Sequence, residues 1–296
     1  MAAGLSIRLM KCDLAHNSRS ITPLDVSPGA DSRLNHRCLD VPFASIVSVQ
    51  FRRMKAVCLW SGPRNVSTAL MYSFAQRADT KVVDEPLYGH YLRVTGAQHP
   101  LRKEVLAAVN TDGNEVMRAL LNEPANEVTR VLFMKQMAHH LVDLDQGFMQ
   151  QTRNVFLIRD PREMLPSLTA QLPNACLEDT GLATQWRLFE RLVADGQNPA
   201  VLDSRELLLD PAGVLGRLCE HLDIDYTDDM LTWPAGARAE DGIWASHWYH
   251  AVHKSEGFAP YVAKDAFPED LQGLLAECRP WYDKLFAHAI IATGGQ

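Results

Sequence analysis

Basic and hydroxyl side chains follow the first long apolar run of the sequence, where they could bind an anion. Residues 55–60 (KAVCLW) have the length of a buried strand, a Gly-Pro break follows, and helical spacing begins at residue 66. A loop that ends at a helix N-terminus presents unpaired backbone N–H groups and the positive end of the helix dipole. Because Arg64, Ser67 and Thr68 add a guanidinium group and two hydroxyls there, the sequence predicts a phosphate or sulfate site.

This loop departs from the pattern of nucleoside-triphosphate-binding loops. The pattern GxxxxGK[ST] places Gly-Lys directly before the hydroxyl residue, whereas Asn65 and Val66 precede Ser67 here. The mismatch argues against an ATP or GTP loop and favours a relative of it.

Further candidate side chains follow later apolar runs of strand length. Glu85 lies in an Asp-Glu-Pro turn after a short run, Lys135 ends residues 130–135, and Arg159 ends residues 153–159. Strands that alternate with helical segments predict parallel strands joined by right-handed crossovers, hence a three-layer α/β/α fold with a central parallel sheet. Ligands bind at the carboxyl ends of strands in such sheets, so we expect these side chains to meet at one edge.

Helical spacing marks the segments that separate the strands. Pro86 disfavours the helical region for Glu85, which predicts an extended turn at this residue. One more strand is predicted at residues 199–203. The predicted helices are residues 66 onward, 101–122, 161–172, 179–194, 211–222 and 269–290, the last kinked at Pro280.

Composition limits the classes of function. A formal net charge of −7 gives no overall basic surface for nucleic acid or an anionic membrane, so any anion site must be local. The six cysteines form no CxxC pair and have no histidine at zinc spacing, which indicates neither a metal site nor a disulfide framework. No apolar run approaches the roughly 20 residues of a membrane span. These features favour reduced thiols and a cytoplasmic location.

The chain divides by composition near residue 54. Residues 1–53 mix Ser, Pro, Asp, Arg and His without periodicity, as is typical of a disordered or weakly ordered arm. Met54 directly precedes the first predicted strand, so translation could start there; a real but dispensable arm is an equal alternative. Residues 54–296 are expected to form one catalytic domain.

Taken together, these motifs resemble the sulfotransferases that use 3′-phosphoadenosine 5′-phosphosulfate, a family whose fold is related to P-loop kinases. In that family a Pro-Lys-Ser-Gly-Thr-Thr-like loop after the first strand binds the 5′-phosphosulfate, and PRNVST occupies its place here. Arg64 takes the basic position, Ser67 and Thr68 take the hydroxyl positions, and Asn65 belongs to the same cofactor loop. Val66 replaces the usual Gly.

A second motif matches the 3′-phosphate site of that family. The site is a strand-end Arg followed by x-Pro, with a Ser eight residues beyond the Arg; here Arg159 precedes Asp-Pro and Ser167 lies at that offset. An Arg at the strand end and a Ser two turns into the helix can converge on one phosphate. Lys254, in KSEGF, lies where family members often have a basic loop that closes over the nucleotide.

The resemblance covers residues 54–260 and implies a P-loop NTPase-like fold. It also implies 3′-phosphoadenosine 5′-phosphosulfate as co-substrate, no metal, and a small-molecule acceptor. Sulfuryl transfer needs a cation at the leaving oxygen, for which Arg64 is the first choice. Several bacterial-type members use a Glu after the second strand as base, which points to Glu85, and Lys135 could contact the sulfuryl oxygens.

Other interpretations stay open for the site and for the function. If the segment after Lys135 is helical, His139 lies on the same face as the lysine. The aromatic-rich residues 244–250 could line an acceptor pocket or simply pack. The alternative functions are a P-loop kinase or nucleotide hydrolase, a non-catalytic nucleotide-binding protein of the same fold, and, more distantly, a pyridoxal-phosphate enzyme built on Lys135.

Overall fold

A computed structural model of the 296-residue chain describes residues 53–263 and 266–293. The predicted arm, residues 1–53, lies outside the described residues apart from Arg53. Across the described ranges, no helix combines the length and the apolar composition needed to cross a bilayer.

One parallel sheet forms the centre of the fold. Its six strands have the order β2-β3-β1-β4-β5-β6, and every neighbouring pair is parallel. The strands are β1 (Lys55–Ser61), β2 (Thr80–Asp84), β3 (Val131–Met137), β4 (Arg153–Ile158), β5 (Ala200–Asp203) and β6 (Ala289–Ile290). The inner strands are near-continuous apolar runs because helices cover both faces of the sheet. The predicted three-layer α/β/α architecture with a central parallel sheet is confirmed.

Helices connect the strands and cover the sheet. They are α1 (Ser67–Ala75), α2 (Tyr88–Thr95), α3 (Arg102–Ala108), α4 (Gly113–Asn122), α5 (Pro161–Thr169), α6 (Leu177–Thr180), α7 (Leu182–Ala194), α8 (Ser204–Leu209), α9 (Pro211–His221), α10 (Ala245–Trp248) and α11 (Gln272–Phe286). Because side chains alternate along a strand, Trp60 packs with α5, α7 and α11 on one face of the sheet. Leu59 packs with α1 and α9 on the other.

Three local predictions were wrong. The predicted helix over residues 101–122 is two helices, because the Asp112 side chain accepts from the backbone of Asn114 and Glu115 and starts α4 afresh. The C-terminal helix ends at Phe286, and the residues after it pair with β5 instead of continuing the helix. Glu85 is not extended: its φ is 40°, in the left-handed region.

Candidate active site

Four neighbouring strands bring the predicted site residues to one edge of the sheet. The order β2-β3-β1-β4 places the carboxyl ends of these strands in a row. Glu85 follows β2, Lys135 lies near the end of β3, and the loop with Arg64 follows β1. Arg159 follows β4. Parallel strands in register therefore bring together residues that are far apart in sequence.

The loop between β1 and α1 has the form of an anion cradle. Ser67 is the first residue of α1 and is buried, and Thr68 lies in its first turn. The Asn65 side chain shapes the loop: its Oδ1 accepts from the Ser67 backbone at 3.0 Å, and its Nδ2 donates to the Leu157 carbonyl at 3.2 Å. Within the described part of the chain, the backbone amides of Arg64, Asn65, Val66, Thr68 and Ala69 donate to no acceptor. Such amides at the positive end of a helix attract an anion.

Arg64 joins this loop to the second predicted site. Its Nε donates to the Ser167 Oγ at 2.8 Å, and its carbonyl accepts from the Arg159 Nη1 at 2.9 Å. Arg64 has a φ of 58°, a left-handed conformation that costs a non-glycine residue about 1–2 kcal/mol. The side chains of Arg64, Arg159 and Ser167 thus lie together.

Carboxylates that the sequence analysis did not single out surround Arg159. The Arg159 Nε lies 3.5 Å from the Glu163 Oε2, one turn into α5. Asp160 accepts from the Arg162 backbone at the start of α5 and forms an ion pair with Arg279 at 2.8 Å. The first turn of α5 therefore carries two carboxylates, and the Glu163 carboxylate offsets part of the positive charge of Arg159.

Lys135 is the centre of a buried polar network. Its Nζ lies 2.9 Å from the Asp84 Oδ1, 2.6 Å from the Glu85 Oε1 and 2.7 Å from the Tyr249 Oη, and the residue is only 2% exposed. Asp84 also accepts from the Tyr249 hydroxyl, at 2.8 and 2.9 Å, and from the Gly242 backbone at 3.1 Å. Asp84 was missed as a site residue, although it directly precedes Glu85. Tyr249 was named only within the aromatic-rich residues 244–250, and its contact with Lys135 was not predicted.

The network changes the acidity of its members. Burial raises the pKa of Glu85 above its ordinary value; Lys135 opposes this, and Asp84 adds to it. Burial alone would lower the pKa of Lys135, but Asp84, Glu85 and Tyr249 together hold it well above the ordinary value. Lys135 thus stays a cation, and Glu85 is a stronger base than a solvated carboxylate.

Two neutral histidines form an aromatic wall nearby. Lys135 lies inside β3 and residues 138–140 form a 3₁₀ turn, so the expected helix carrying His139 beside Lys135 is absent from this described segment. His140 stacks on Tyr91 with ring centroids 4.7 Å apart and on Tyr88 at 5.2 Å. Burial first, and His99 second, lower the pKa of His139 to about 4; burial and the neighbouring His139 hold that of His140 well below the ordinary value.

The candidates near the end of the sequence are residues 244–250 and Lys254, and they differ in burial. Trp244 and Tyr249 are buried, so these two aromatic residues of the 244–250 segment pack against the site. Lys254 is exposed at the end of the 3₁₀ turn Val252–Lys254. The structure therefore brings eight of the nine predicted site residues to one edge and leaves Lys254 in solvent.

Comparison with known proteins gives a family and several relatives. A sulfotransferase domain family model matches residues 54–289. Two proteins of Arabidopsis thaliana, branched-chain-amino-acid aminotransferase-like proteins 2 and 1, are 38% and 39% identical to this chain over 79% and 77% of its length. The chain spans only 42% and 41% of those two proteins. It is also similar to the sulfotransferase domain from the curacin biosynthetic pathway, at 15% identity and a TM-score of 0.46, covering 79% of this chain and 98% of that one.

Proposed function

The chain belongs to the sulfotransferase family, and from that premise we propose that it transfers a sulfuryl group from 3′-phosphoadenosine 5′-phosphosulfate to a hydroxyl or amine of a small acceptor. The observation that carries this proposal is the junction of two anion sites, where Arg64 contacts Ser167 at 2.8 Å and Arg159 contacts the Arg64 carbonyl at 2.9 Å. A nucleotide with phosphate at both its 3′ and 5′ positions needs two such sites side by side.

Each site would hold one end of the donor. The unpaired amides of the 63–68 loop, with the hydroxyls of Ser67 and Thr68, would bind the 5′-phosphosulfate. Arg159 and Ser167 would bind the 3′-phosphate, the former through a bidentate, charge-assisted contact. Asn65 would contribute its backbone amide, since its side chain is bonded within the loop. Lys254, exposed in the free protein, would have to move to contact the nucleotide.

The chemical step needs a base and a cation on opposite sides of the sulfur. The acceptor O–H gives its proton to Glu85 while its oxygen forms a bond to sulfur, and the sulfur–oxygen bond to the phosphate breaks with its electron pair leaving on the phosphate oxygen. Arg64 would offset the negative charge that grows on that oxygen. Lys135 would fix the Glu85 carboxylate and, from its position between β1 and β2, stabilise the sulfuryl oxygens.

The spacing of the strands suits such a ternary arrangement. The ends of β1 and β2 are separated by β3, which is a distance of about 10 Å at the usual strand spacing. A sulfuryl group and an acceptor oxygen in line with it would fill this gap between the Arg64 loop and Glu85.

Calorimetric titration separates this proposal from the kinase and hydrolase alternative. We expect the full chain to bind 3′-phosphoadenosine 5′-phosphate more tightly than ATP with Mg²⁺, because two anion sites meet the two ends of the former. A preference for ATP would remove the transferase assignment. Binding of the bisphosphate without any single-turnover transfer, over a broad panel of hydroxyl and amine acceptors, would favour a non-catalytic binding protein.

The Arg159→Ala variant tests the assignment of the 3′-phosphate site. It should weaken the binding of 3′-phosphoadenosine 5′-phosphate at least tenfold more than that of adenosine 5′-phosphate, since only the former carries the 3′-phosphate. Arg153→Ala, at the exposed amino end of the same strand, is the matched control and should leave both affinities unchanged. Equal losses for the two nucleotides in Arg159→Ala would count against the assignment.

A pyridoxal-phosphate enzyme built on Lys135 is disfavoured by the ion pairs of this lysine. Schiff-base chemistry starts from a neutral amine. The Lys135 ammonium lies against two carboxylates, and its pKa is well above the ordinary value. The lysine is therefore suited to hold charge and poorly suited to act as a nucleophile.

A further inference from the structure

A cavity of about 360 Å³ opens beside Glu85. It lies between the edge strand β2 and helices α2 and α4, with Trp244 closing one side. Its walls include Val83, Glu85, Gly89, Val116, Leu120 and Trp244. The volume falls in the lower part of the range of small-molecule sites.

The lining of this cavity is mostly apolar; its charged groups are Asp84 and Glu85, and Asn110 adds one uncharged polar residue. The Asp84 oxygens already accept from Lys135, Tyr249 and the Gly242 backbone. Glu85 accepts from Lys135 through Oε1, while its Oε2 accepts from no donor in the described part of the chain. The side chain of Glu85 is 12% exposed. One carboxylate oxygen of the proposed base is therefore available to a molecule in the cavity.

We propose that this cavity binds the acceptor, and that the acceptor is an uncharged apolar alcohol or phenol whose hydroxyl donates to the Glu85 Oε2. The inference rests on the proposed transferase function and adds the substrate class. A cavity of about 150 Å³ is known to bind benzene, so 360 Å³ accommodates a body of roughly two rings.

The lining argues against the other acceptor classes. An anionic acceptor would meet Glu85 and Asp84 with no lysine or arginine among the lining residues. A sugar would leave several hydroxyls without partners against Val83, Val116 and Leu120, and each unpaired polar group costs free energy on burial. An ammonium acceptor would bring a second cation beside Lys135, which already faces both carboxylates.

The proposal is tested by calorimetry with four two-ring compounds that differ in one group. The full chain, saturated with 3′-phosphoadenosine 5′-phosphate, is titrated with 2-naphthol, naphthalene-2-carboxylate, 2-naphthylmethylammonium and a two-ring polyol. We expect 2-naphthol to bind at least tenfold more tightly than each of the others. Tighter binding of the carboxylate, the ammonium or the polyol would overturn the assigned substrate class.

Variants that fill the cavity test whether 2-naphthol binds inside it. Val116→Phe should weaken 2-naphthol at least tenfold and leave the nucleotide affinity unchanged, because the new ring occupies the cavity. Val128→Phe makes the same change at a position that is 62% exposed and outside the cavity, and it should alter neither affinity. Ala119→Phe, at the exposed mouth, is the second variant if Val116→Phe does not fold. Unchanged 2-naphthol affinity in a folded cavity variant would refute the site.

The same titrations test the acceptor cavity separately from the proposed transferase function. If the bisphosphate nucleotide binds and no two-ring compound does, the cavity proposal is wrong and the donor assignment stands. If 2-naphthol binds but the nucleotide does not, the proposed transferase function is wrong while the cavity remains an apolar alcohol site.

Discussion

At the residue scale, two adjacent carboxylates share one buried cation. Asp84 and Glu85 both contact Lys135, and Asp84 has the further donors Tyr249 and Gly242, so Glu85 is the less satisfied of the two. Burial raises the pKa of Glu85 even though a lysine lies 2.6 Å away. These contacts support the proposed division of roles, in which Asp84 anchors the network and Glu85 acts as the base.

Glu85→Gln tests that division of roles. An amide fills the same space but cannot take a proton, so we expect single-turnover sulfuryl transfer to fall about 10²- to 10⁴-fold with nucleotide affinity unchanged. Glu190→Gln, on the exposed face of α7, serves as the control and should retain full activity. An unchanged rate in Glu85→Gln would exclude this residue as the base.

The raised pKa of Glu85 has a consequence for the pH profile of wild-type activity. A base must be deprotonated, so kcat/KM should fall as the pH drops through the pKa of Glu85. Because burial raises that pKa, the fall should begin above the ordinary glutamate value of about 4.3. The profile, measured at constant ionic strength, should lose this acid limb in Glu85→Gln.

Removal of the Lys135 ammonium should destabilise the fold, because it leaves two buried carboxylates without a counter-ion. Lys135→Met leaves Asp84 and Glu85 buried without a counter-ion, and we expect it to lower the free energy of unfolding by about 3–5 kcal/mol at pH 8. The loss should shrink as the pH falls, since protonation of Glu85, whose pKa is raised by burial, removes one of the two buried negative charges. Lys81→Met breaks an ion pair with Glu123 of 2.6 Å whose side chains are 41% and 39% exposed, and it should cost about 1 kcal/mol or less. Denaturant titration at several pH values measures both variants.

At the element scale, the left-handed residue of the loop between β1 and α1 is Arg64 and not Val66. Val66, which replaces the family's usual Gly, has a φ of −91° and needs no glycine, whereas Arg64 has a φ of 58°. Gly62 lies so close to the Thr180 carbonyl of α6 that a Cβ would clash with it. The loop is therefore fixed by Gly62, the Asn65 side chain and a strained Arg64.

Two substitutions at Arg64 separate backbone strain from the charge of the side chain. Arg64→Gly and Arg64→Ala both remove the guanidinium group, so both should weaken 3′-phosphoadenosine 5′-phosphate binding to the same extent. Only glycine relieves the left-handed backbone, so Arg64→Gly should be more stable than Arg64→Ala by about 1 kcal/mol. Thermal unfolding gives the stability difference, and equal stabilities would contradict the proposed strain.

Local sequence patterns predicted the elements that are long and apolar. They failed for elements and contacts that form only through residues distant in the sequence. Five of the six strands follow from apolar runs, but β6 has only two residues and exists by pairing with β5. Helix α8 starts directly after β5 because the Asp203 side chain accepts from the Arg205 and Glu206 backbones, which leaves no loop to signal a boundary. The Lys135 network was missed in part, since Tyr249 lies 165 residues from Asp84 and no local period links them.

At the scale of the whole molecule, the interior holds two neighbouring histidines, His139 and His140, in their neutral form. His140 is 1% exposed, and the Nδ1 atoms of His139 and His140 have no hydrogen-bond partner within the described residues. These rings pack with Tyr88 and Tyr91 beneath the edge strand and link α2 to the end of β3. The core on this side thus depends on uncharged imidazoles.

Folding stability should therefore fall in mild acid. The unfolded chain protonates histidine at pH values below about 6.5, whereas His139 in the folded chain resists protonation until about pH 4 and His140 until lower pH. Stability is complete above about pH 6.5 and should drop by up to about 1.4 kcal/mol per histidine for each pH unit below it. The double variant His139→Gln, His140→Gln should show a shallower dependence between pH 6.5 and 4 in urea titrations. An identical slope would contradict this account.

The buried network has a consequence for the order in which the protein matures during translation. The arginines and the serine proposed to grip the nucleotide all lie before residue 170, but the last partners of Asp84 arrive only with Gly242 and Tyr249, 158 and 165 residues after it. The first 230 residues of a growing chain contain Arg64, Arg159 and Ser167. They lack Gly242 and Tyr249, and they also lack α11, which packs on α5 and α7. The surroundings of Glu85 are thus completed only once residue 249 has been synthesised, so the proposed transfer cannot begin on a shorter chain.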